Sequence, residues 1–303
     1  MNIPHYYLVP FELAGAIYVQ PVLKAGNRRA VIILPGRSMS PRNFWHYDPG
    51  TGITHAEQLA ESGVDVYLVD PLAFGNSVGS LMKDYTREAF AEQIGAVIET
   101  LPDYDSIGCV GFCNTTMVPL MLLAQGLINR AVVMSPTVFD SAWCDQHPGL
   151  VRRWQRTQTA TGYWSVGLEA LIEQQLNRIS DTLIGEPQRV ATWYSEMQRL
   201  TREYSSYQDG AWTASRTWWL DRVNWPIKHQ DHGFDIAALA NKPVLFTRGE
   251  YDVEVPESWL ERAVGYFHTA DIQTYTIPGA THFSLWEHGY QAAVDRVQEF
   301  LLA

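Results

Sequence analysis

Cysteine is scarce in this chain. Cys109, Cys113 and Cys144 form an odd set without metal-ligand spacing, which argues against a disulfide framework or a thiolate metal site and reads as reduced thiols in a cytoplasmic protein. Basic residues are also in deficit, 22 against 33 acidic ones, for a formal net charge of −11. Nucleic acid and anionic membrane surfaces are therefore not expected partners. No segment approaches the roughly 20 unbroken apolar residues of a membrane-spanning helix. The opening Met1-Asn2-Ile3-Pro4-His5 lacks the basic region and apolar stretch of a secretory signal. No metal or cofactor is expected, and a small-molecule substrate is the expected partner.

What remains is an ordinary globular composition, 46% hydrophobic and 18% charged over 303 residues, enough for one large domain or a core carrying an inserted unit. Two strands are predicted at His5 to Phe11 and Ala16 to Val22, turned by Glu12 to Gly15, as an antiparallel edge. The run Arg29 to Leu34 is continuously apolar after its first residue, as a strand buried on both faces should be. A short helix from His55 to Ser62, a strand from Val64 to Asp70, a helix from Thr86 to Thr100 and a strand from Arg130 to Met134 follow. Alternation of strand and helix argues for a mostly parallel, doubly wound sheet.

The sharpest feature is the stretch Ser106 to Ala124. Ile107, Cys109 and Val110 make a short strand-like run, and Met117 to Ala124 carries the longer apolar pattern of a buried helix. Cys113 stands at the corner. In Gly111-Phe112-Cys113-Asn114-Thr115, small residues flank it at two places on either side, which a corner residue in a strained turn needs if neighbouring side chains are to clear the helix it starts.

This stretch resembles the nucleophile elbow of the α/β-hydrolase superfamily, with cysteine where most members have serine. Downstream, the strand Lys242 to Thr247 is followed by Gly249-Glu250-Tyr251-Asp252 and then Pro256, similar to the superfamily's Gly-x-x-Asp-x-x-x-Pro loop. The strand Ile272 to Ile277 is followed by His282. The resemblance implies an α/β-hydrolase fold with Cys113 as nucleophile, Asp252 as acid and His282 as base, in the chain order that fold uses. His288 is a rival base inside a predicted C-terminal helix, Leu285 to Leu302. That helix packs on the sheet through Val294, Val297, Phe300 and Leu301. The turn after Asp70, running to Ser77, is similar to a structural turn of the superfamily.

The first buried strand ends in Pro35-Gly36, where the superfamily usually has His-Gly. The resemblance implies an oxyanion hole from the backbone N–H of Arg37 or Ser38 and that of Asn114, each well-aimed donor worth about 3 kcal/mol. Gly36 to Gly52 is predicted as a long irregular loop, of the kind often used functionally. Within it Arg37 and Ser38 are candidate substrate contacts. Residues 139 to 236 show no strand pattern, and eight of the chain's 11 tryptophans fall there. This segment resembles the helical cap of many members, with helices predicted at Leu168 to Ile179 and Glu186 to Tyr204, between core parts 1–138 and 237–303. Trp143 is a candidate lining residue of an apolar acyl pocket.

A thiol starts from a pKa of only about 8.5, so a base held by an acid can convert it largely to thiolate near neutral pH. Its acyl-enzyme is a thioester, close to balanced against another thioester. The expected substrates are thioesters, activated esters and lactones, a carrier-bound acyl thioester among them, with transfer to water or another acceptor. Two alternatives stay open: lyase-type chemistry with His282 as base and no covalent step, and a ligand-binding protein without turnover.

Overall fold

The computed structural model describes residues 6–11, 15–36, 40–72, 74–79, 86–136, 163–167, 207–208, 211–215, 235–252, 255–287 and 289–303. Strands β1 (Tyr7–Phe11) and β2 (Gly15–Val22) pair antiparallel at one edge, Val9 opposite Ile17. Then β3 (Arg29–Ile33), β4 (Val64–Asp70), β5 (Val78–Gly79), β6 (Ser106–Phe112) and β7 (Arg130–Met134) follow. Their order across the sheet is β1-β2-β4-β3-β6-β7, with the two-residue β5 attached to β2. Two later strands, Pro243–Gly249 and Asp271–Ile277, extend the sheet beyond β7. From β4 outward to that last strand, every pair is parallel.

Both faces of the parallel strands are buried, which explains their continuous apolar runs. In β3, Ala30 and Ile32 enter one core while Val31 and Ile33 enter the other. Helices α1 (Arg42–Trp45), α2 (His55–Glu61), α3 (Arg87–Ile98) and α4 (Met117–Ala124) follow in chain order. Helices α3 and α4 cover the first face with Phe90, Ile94, Val97, Val118 and Met121. Helix α2 covers the second with Ala56 and Leu59. A capping box starts α2: Thr54 Oγ1 accepts from the Glu57 N–H at 3.2 Å, and the Glu57 carboxylate accepts from the Thr54 N–H at 2.7 Å.

Three expectations need correction. The stretch Gly36 to Gly52 is not wholly irregular, because Phe44 and Trp45 are buried and fold its middle into α1. The C-terminal helix, Tyr290–Leu302, starts five residues later than its apolar pattern suggested. Ser284–Trp286 forms a 3₁₀ turn instead, and Glu287 is extended. The stretch 139–236 also holds strands: β8 (Tyr163–Gly167), β9 (Tyr207–Gln208) and β10 (Ala211–Ser215), an antiparallel sheet in the order β8-β10-β9. Aromatic and β-branched residues such as Trp164, Val166, Trp212 and Thr213 suit that role. The helices predicted at 168–179 and 186–204 lie outside the described residues. The two remaining strands of the main sheet are β11 (Pro243–Gly249) and β12 (Asp271–Ile277), with α5 (Glu257–Tyr266) between them and α6 (Tyr290–Leu302) at the end. No described helix is long and apolar enough to cross a membrane.

Candidate active site

The chain runs from β3 to β4 on one side and later places β6 on the other side of β3. This reversal opens a crevice at the carboxyl ends of β3 and β6, where open α/β sheets bind ligands. Cys113 follows β6 immediately, and Pro35-Gly36 follow β3. The Leu34 N–H donates to the Val110 carbonyl at 2.9 Å and continues the β3–β6 ladder almost to the crevice.

Cys113 has φ of 56°, a left-handed conformation rare for a side-chain-bearing residue, costing about 1–3 kcal/mol that the surrounding packing must offset. A Cβ at Gly111 would lie 2.7 Å from the Thr115 carbonyl oxygen and 2.9 Å from both Pro119 Cγ and Thr116 Cα. Glycine is thus the residue this corner admits there. Thr115 does more than stay small. Its hydroxyl accepts from the Phe112 N–H at 3.0 Å and donates to the Pro35 carbonyl at 2.8 Å, tying the corner to the end of the β3 strand. Thr116 Oγ1 donates to the Cys113 carbonyl at 2.7 Å. The Cys113 Sγ lies 3.6 Å from Asn114 Oδ1, within reach of a weak thiol hydrogen bond.

Because β6, β11 and β12 are parallel, the residues that follow them share one edge of the sheet. Asp252 follows β11 and His282 follows β12, and Asp252 Oδ2 lies 2.9 Å from His282 Nδ1. An ionised carboxylate only accepts, so Nδ1 carries the proton and Nε2 is the nitrogen with a lone pair. The other Asp252 oxygen accepts from the Val255 N–H at 3.1 Å. Arg248, buried beneath, donates from Nε to the Val255 carbonyl at 2.9 Å and from Nη2 to the Glu250 carbonyl at 3.1 Å. The acid loop is therefore clamped from below. Glu250, two residues before Asp252, accepts instead from the Gly279 N–H at 2.9 Å on the surface.

The His282 ring packs 5.2 Å from the ring of Phe112, the residue before the corner, and edge-on to Phe283 at 5.3 Å. Phe44 of α1 stacks on Trp286 at 4.3 Å and tilts against Phe112 at 4.8 Å. The site is nearly closed: Cys113, His282 and Asp252 are 3%, 4% and 2% exposed. Cys109 lies deeper in β6, and its full burial pushes the thiol's pKa well up. Arg37, Ser38, Trp143, Cys144, Glu254 and His288 lie outside the described residues.

The chain from Ser40 into α1 is held by charge. Arg42 Nη2 meets Asp70 Oδ2 at 2.8 Å in a largely buried ion pair, and Ser40 Oγ accepts from Arg42 Nε at 3.1 Å. Asp70 also accepts from the Asn76 N–H at 2.9 Å and its carbonyl takes the Ser77 hydroxyl, so the Asp70-to-Ser77 turn is structural as expected.

Sequence reasoning missed two polar groups at this site: the bonding role of the Thr115 hydroxyl, and the buried carboxyl of Glu287. Glu287 accepts from both the N–H and the hydroxyl of Thr281, the residue before His282. Nothing in a residue pattern distinguishes such a glutamate from a surface one; its place five residues after the histidine was the one available signal.

Among curated proteins none matches the chain in sequence. Solved structures do match in fold. An esterase from Thermogutta terrifontis, described as thermophilic and malate-bound, superposes with a TM-score of 0.67 at 16% identity over 98% of each chain. The thioesterase domain of a curacin biosynthetic pathway gives 0.65 at 14% identity over the whole of both chains. A bromoperoxidase from Bacillus anthracis gives 0.66 at 16% identity, covering 98% of this chain and all of its own. The sequence profile of the alpha/beta hydrolase fold family matches residues 29–289, and with most of the chain spanned in this way the protein belongs to that family.

Proposed function

We propose that the protein is an acyl-transferring hydrolase in which Cys113 forms a thioester acyl-enzyme with a small to medium apolar acyl group taken from a thioester, activated ester or lactone. The observation that carries this is the left-handed corner at Cys113, on the same sheet edge as the hydrogen-bonded Asp252–His282 pair. Strain of this kind clusters where a side chain must be presented rather than packed. The thioesterase and esterase among the structural neighbours agree with the reaction class, while the shared fold alone leaves it open.

In the first step His282 Nε2 takes the Sγ proton and the thiolate attacks the substrate carbonyl carbon. The oxyanion that forms is held by the N–H of Asn114, at the start of the turn into α4, and by an N–H of Arg37 or Ser38 beyond Gly36. Collapse breaks the carbon–oxygen or carbon–sulfur bond to the leaving group, which takes the proton from His282. Water, or another acceptor, then gives its proton to His282 and attacks the thioester; collapse returns the proton to Sγ and releases the acyl product. Asp252 holds the imidazole tautomer and stabilises the imidazolium throughout. The segment between β7 and β11 would serve as the cap, with Arg37, Ser38 and Trp143 lining the acyl end.

The test is intact mass after mixing with acyl thioesters and activated esters. A mass increment should map to Cys113 and accumulate when His282→Ala slows deacylation. Iodoacetamide should alkylate Cys113 ahead of Cys109 and Cys144, more slowly in that variant. Product formation without any adduct, with Cys113→Ala retaining activity and His282→Ala losing it, would replace this reading by a lyase-type one.

A further inference from the structure

Glu287 sits in an unusual position for a carboxyl: it is 1% exposed and packed into the turn between the histidine and the last helix. Its two oxygens accept from the Thr281 N–H and the Thr281 hydroxyl. The chain doubles back tightly to achieve this. A Cβ at Gly289 would lie 2.8 Å from Ile277 Cγ2 and 2.9 Å from the Pro278 carbonyl oxygen, so glycine lets the turn close over the end of β12. This closure explains why the last helix starts late. Among the described residues no cation is bonded to the carboxylate, which is costly to bury, whereas a glutamine could accept from the Thr281 N–H and donate to its hydroxyl oxygen.

The charged groups that Glu287 feels are Asp252, which disfavours its ionisation, and His282, which favours it. On the α2 side, His55 Nε2 is bonded to the Leu285 carbonyl at 2.9 Å and its ring stacks on Tyr290 at 5.2 Å, within the same turn. By reciprocity a Glu287 carboxylate favours the imidazolium form of His282.

We propose that Glu287 is a positioning residue for His282, fixing the Thr281 backbone that carries it and adding a second buried negative charge that favours the protonated imidazole. The inference rests on His282 being the base of the proposed reaction. Proton removal from Cys113 creates an imidazolium, so both carboxylates favour the thiolate–imidazolium pair. Burial of Glu287 raises its own pKa, so this support is withdrawn on the acid side.

The experiment compares the unaltered protein with Glu287→Gln, which retains an acceptor for the Thr281 N–H and a donor for its hydroxyl oxygen while removing the charge. The His282 imidazole is followed by NMR in ¹³C-histidine-labelled protein, assigned with His282→Asn. Cys113 alkylation is followed against pH. Glu287→Gln should lower the imidazole midpoint by about half to one unit, slow alkylation by about 3- to 10-fold above the pH at which Glu287 ionises, with the difference vanishing below it, and lower kcat with little change in KM. An unchanged imidazole midpoint and alkylation profile would overturn the proposal and leave Glu287 a structural peg. In the unaltered protein, the His282 resonance should show a smaller inflection at the pH where ¹³C-labelled Glu287 titrates; this holds the proposal to account even if the variant fails to fold. If the imidazole midpoint moves but His282→Ala leaves Cys113 alkylation untouched, the nucleophile assignment falls and the coupling of Glu287 to His282 stands.

Discussion

Replacing Gly249 by alanine tests whether the acid loop and the histidine loop form one rigid unit. Gly249 ends β11, and its φ is not in the left-handed region, so alanine meets no conformational barrier there. The obstacle is contact. An added Cβ would overlap the carbonyl oxygens of Ala280 and Thr281 and lie 2.7 Å from the Ala280 carbonyl carbon. Reaching an ordinary 3.4 Å separation requires about 0.7 Å of movement at that atom and more at the oxygens. Both sides are backbone, and they are pinned by the Glu250 N–H on the Ile277 carbonyl at 3.0 Å and the Tyr251 N–H on the Ala280 carbonyl at 2.8 Å. Overpacking costs about 1–3 kcal/mol, and weakening two hydrogen bonds adds about 1 kcal/mol each at most. The expected loss is therefore about 1–5 kcal/mol in urea denaturation. The same movement separates Asp252 from His282, now 2.9 Å apart, and a displacement near 1 Å at a catalytic contact can cost about 100-fold in rate. The assay is kcat/KM on an activated thioester beside the denaturation curve. A Gly249→Ala protein within about 0.5 kcal/mol of the original and equally active would refute the idea that this contact sets the acid–base geometry.

Asp252→Asn should lower kcat by on the order of 10²- to 10⁴-fold with the fold intact, since an amide at Oδ2 can donate to the ring and favour the wrong tautomer; an equal loss in Glu250→Gln would reassign the acid. Thr115→Val removes the link to Pro35 and leaves the Phe112 N–H without its acceptor, for an expected loss of about 1–3 kcal/mol, while Thr115→Ser should recover most of it in the same denaturation assay. Gly111→Ala, meeting three fixed atoms, should cost about 1–3 kcal/mol and slow Cys113 acylation, read by mass. The raised pKa of Glu287 means that burial favours its protonated form. That contribution is complete below the ordinary carboxylate value of 4.5 and is lost as pH rises through the folded value. The stability of Glu287→Gln relative to the original protein should therefore grow across that window, as measured by urea denaturation at a series of pH values, and a flat difference would contradict the assigned shift.

The parts of this protein that could be read from its residues are those where local geometry forces a local signature. A strand buried on both faces must be largely apolar, and Val31 to Leu34, Val66 to Val69 and Val244 to Phe246 declared themselves in that way. A corner that turns a strand into a helix admits little beyond Gly111, and this flagged Cys113. The pairing of Asp252 with His282 is long-range, but both sit on loops at strand ends, so the order of the strands brought them together. The same logic fails in the stretch 139–236. There Trp212 lies opposite Val166 in an antiparallel pair, strands of five residues whose partners are far apart in sequence, and the tryptophans read equally well as helix packing.

Polar contacts leave a trace in a sequence mainly where they use a local motif, as the capping box of Thr54 and Glu57 does within four consecutive residues. Thr115 on Pro35 crosses from one strand end to another, and nothing about a threonine announces that its hydroxyl will be the link. Glu287 is the sharper case, because composition places glutamate on surfaces and its burial follows from where Gly289 lets the chain turn. Burial in a closed turn makes the charged form of Glu287 costly, and in the proposed coupling His282, already held by Asp252, is the neighbour whose positive charge offsets part of that cost.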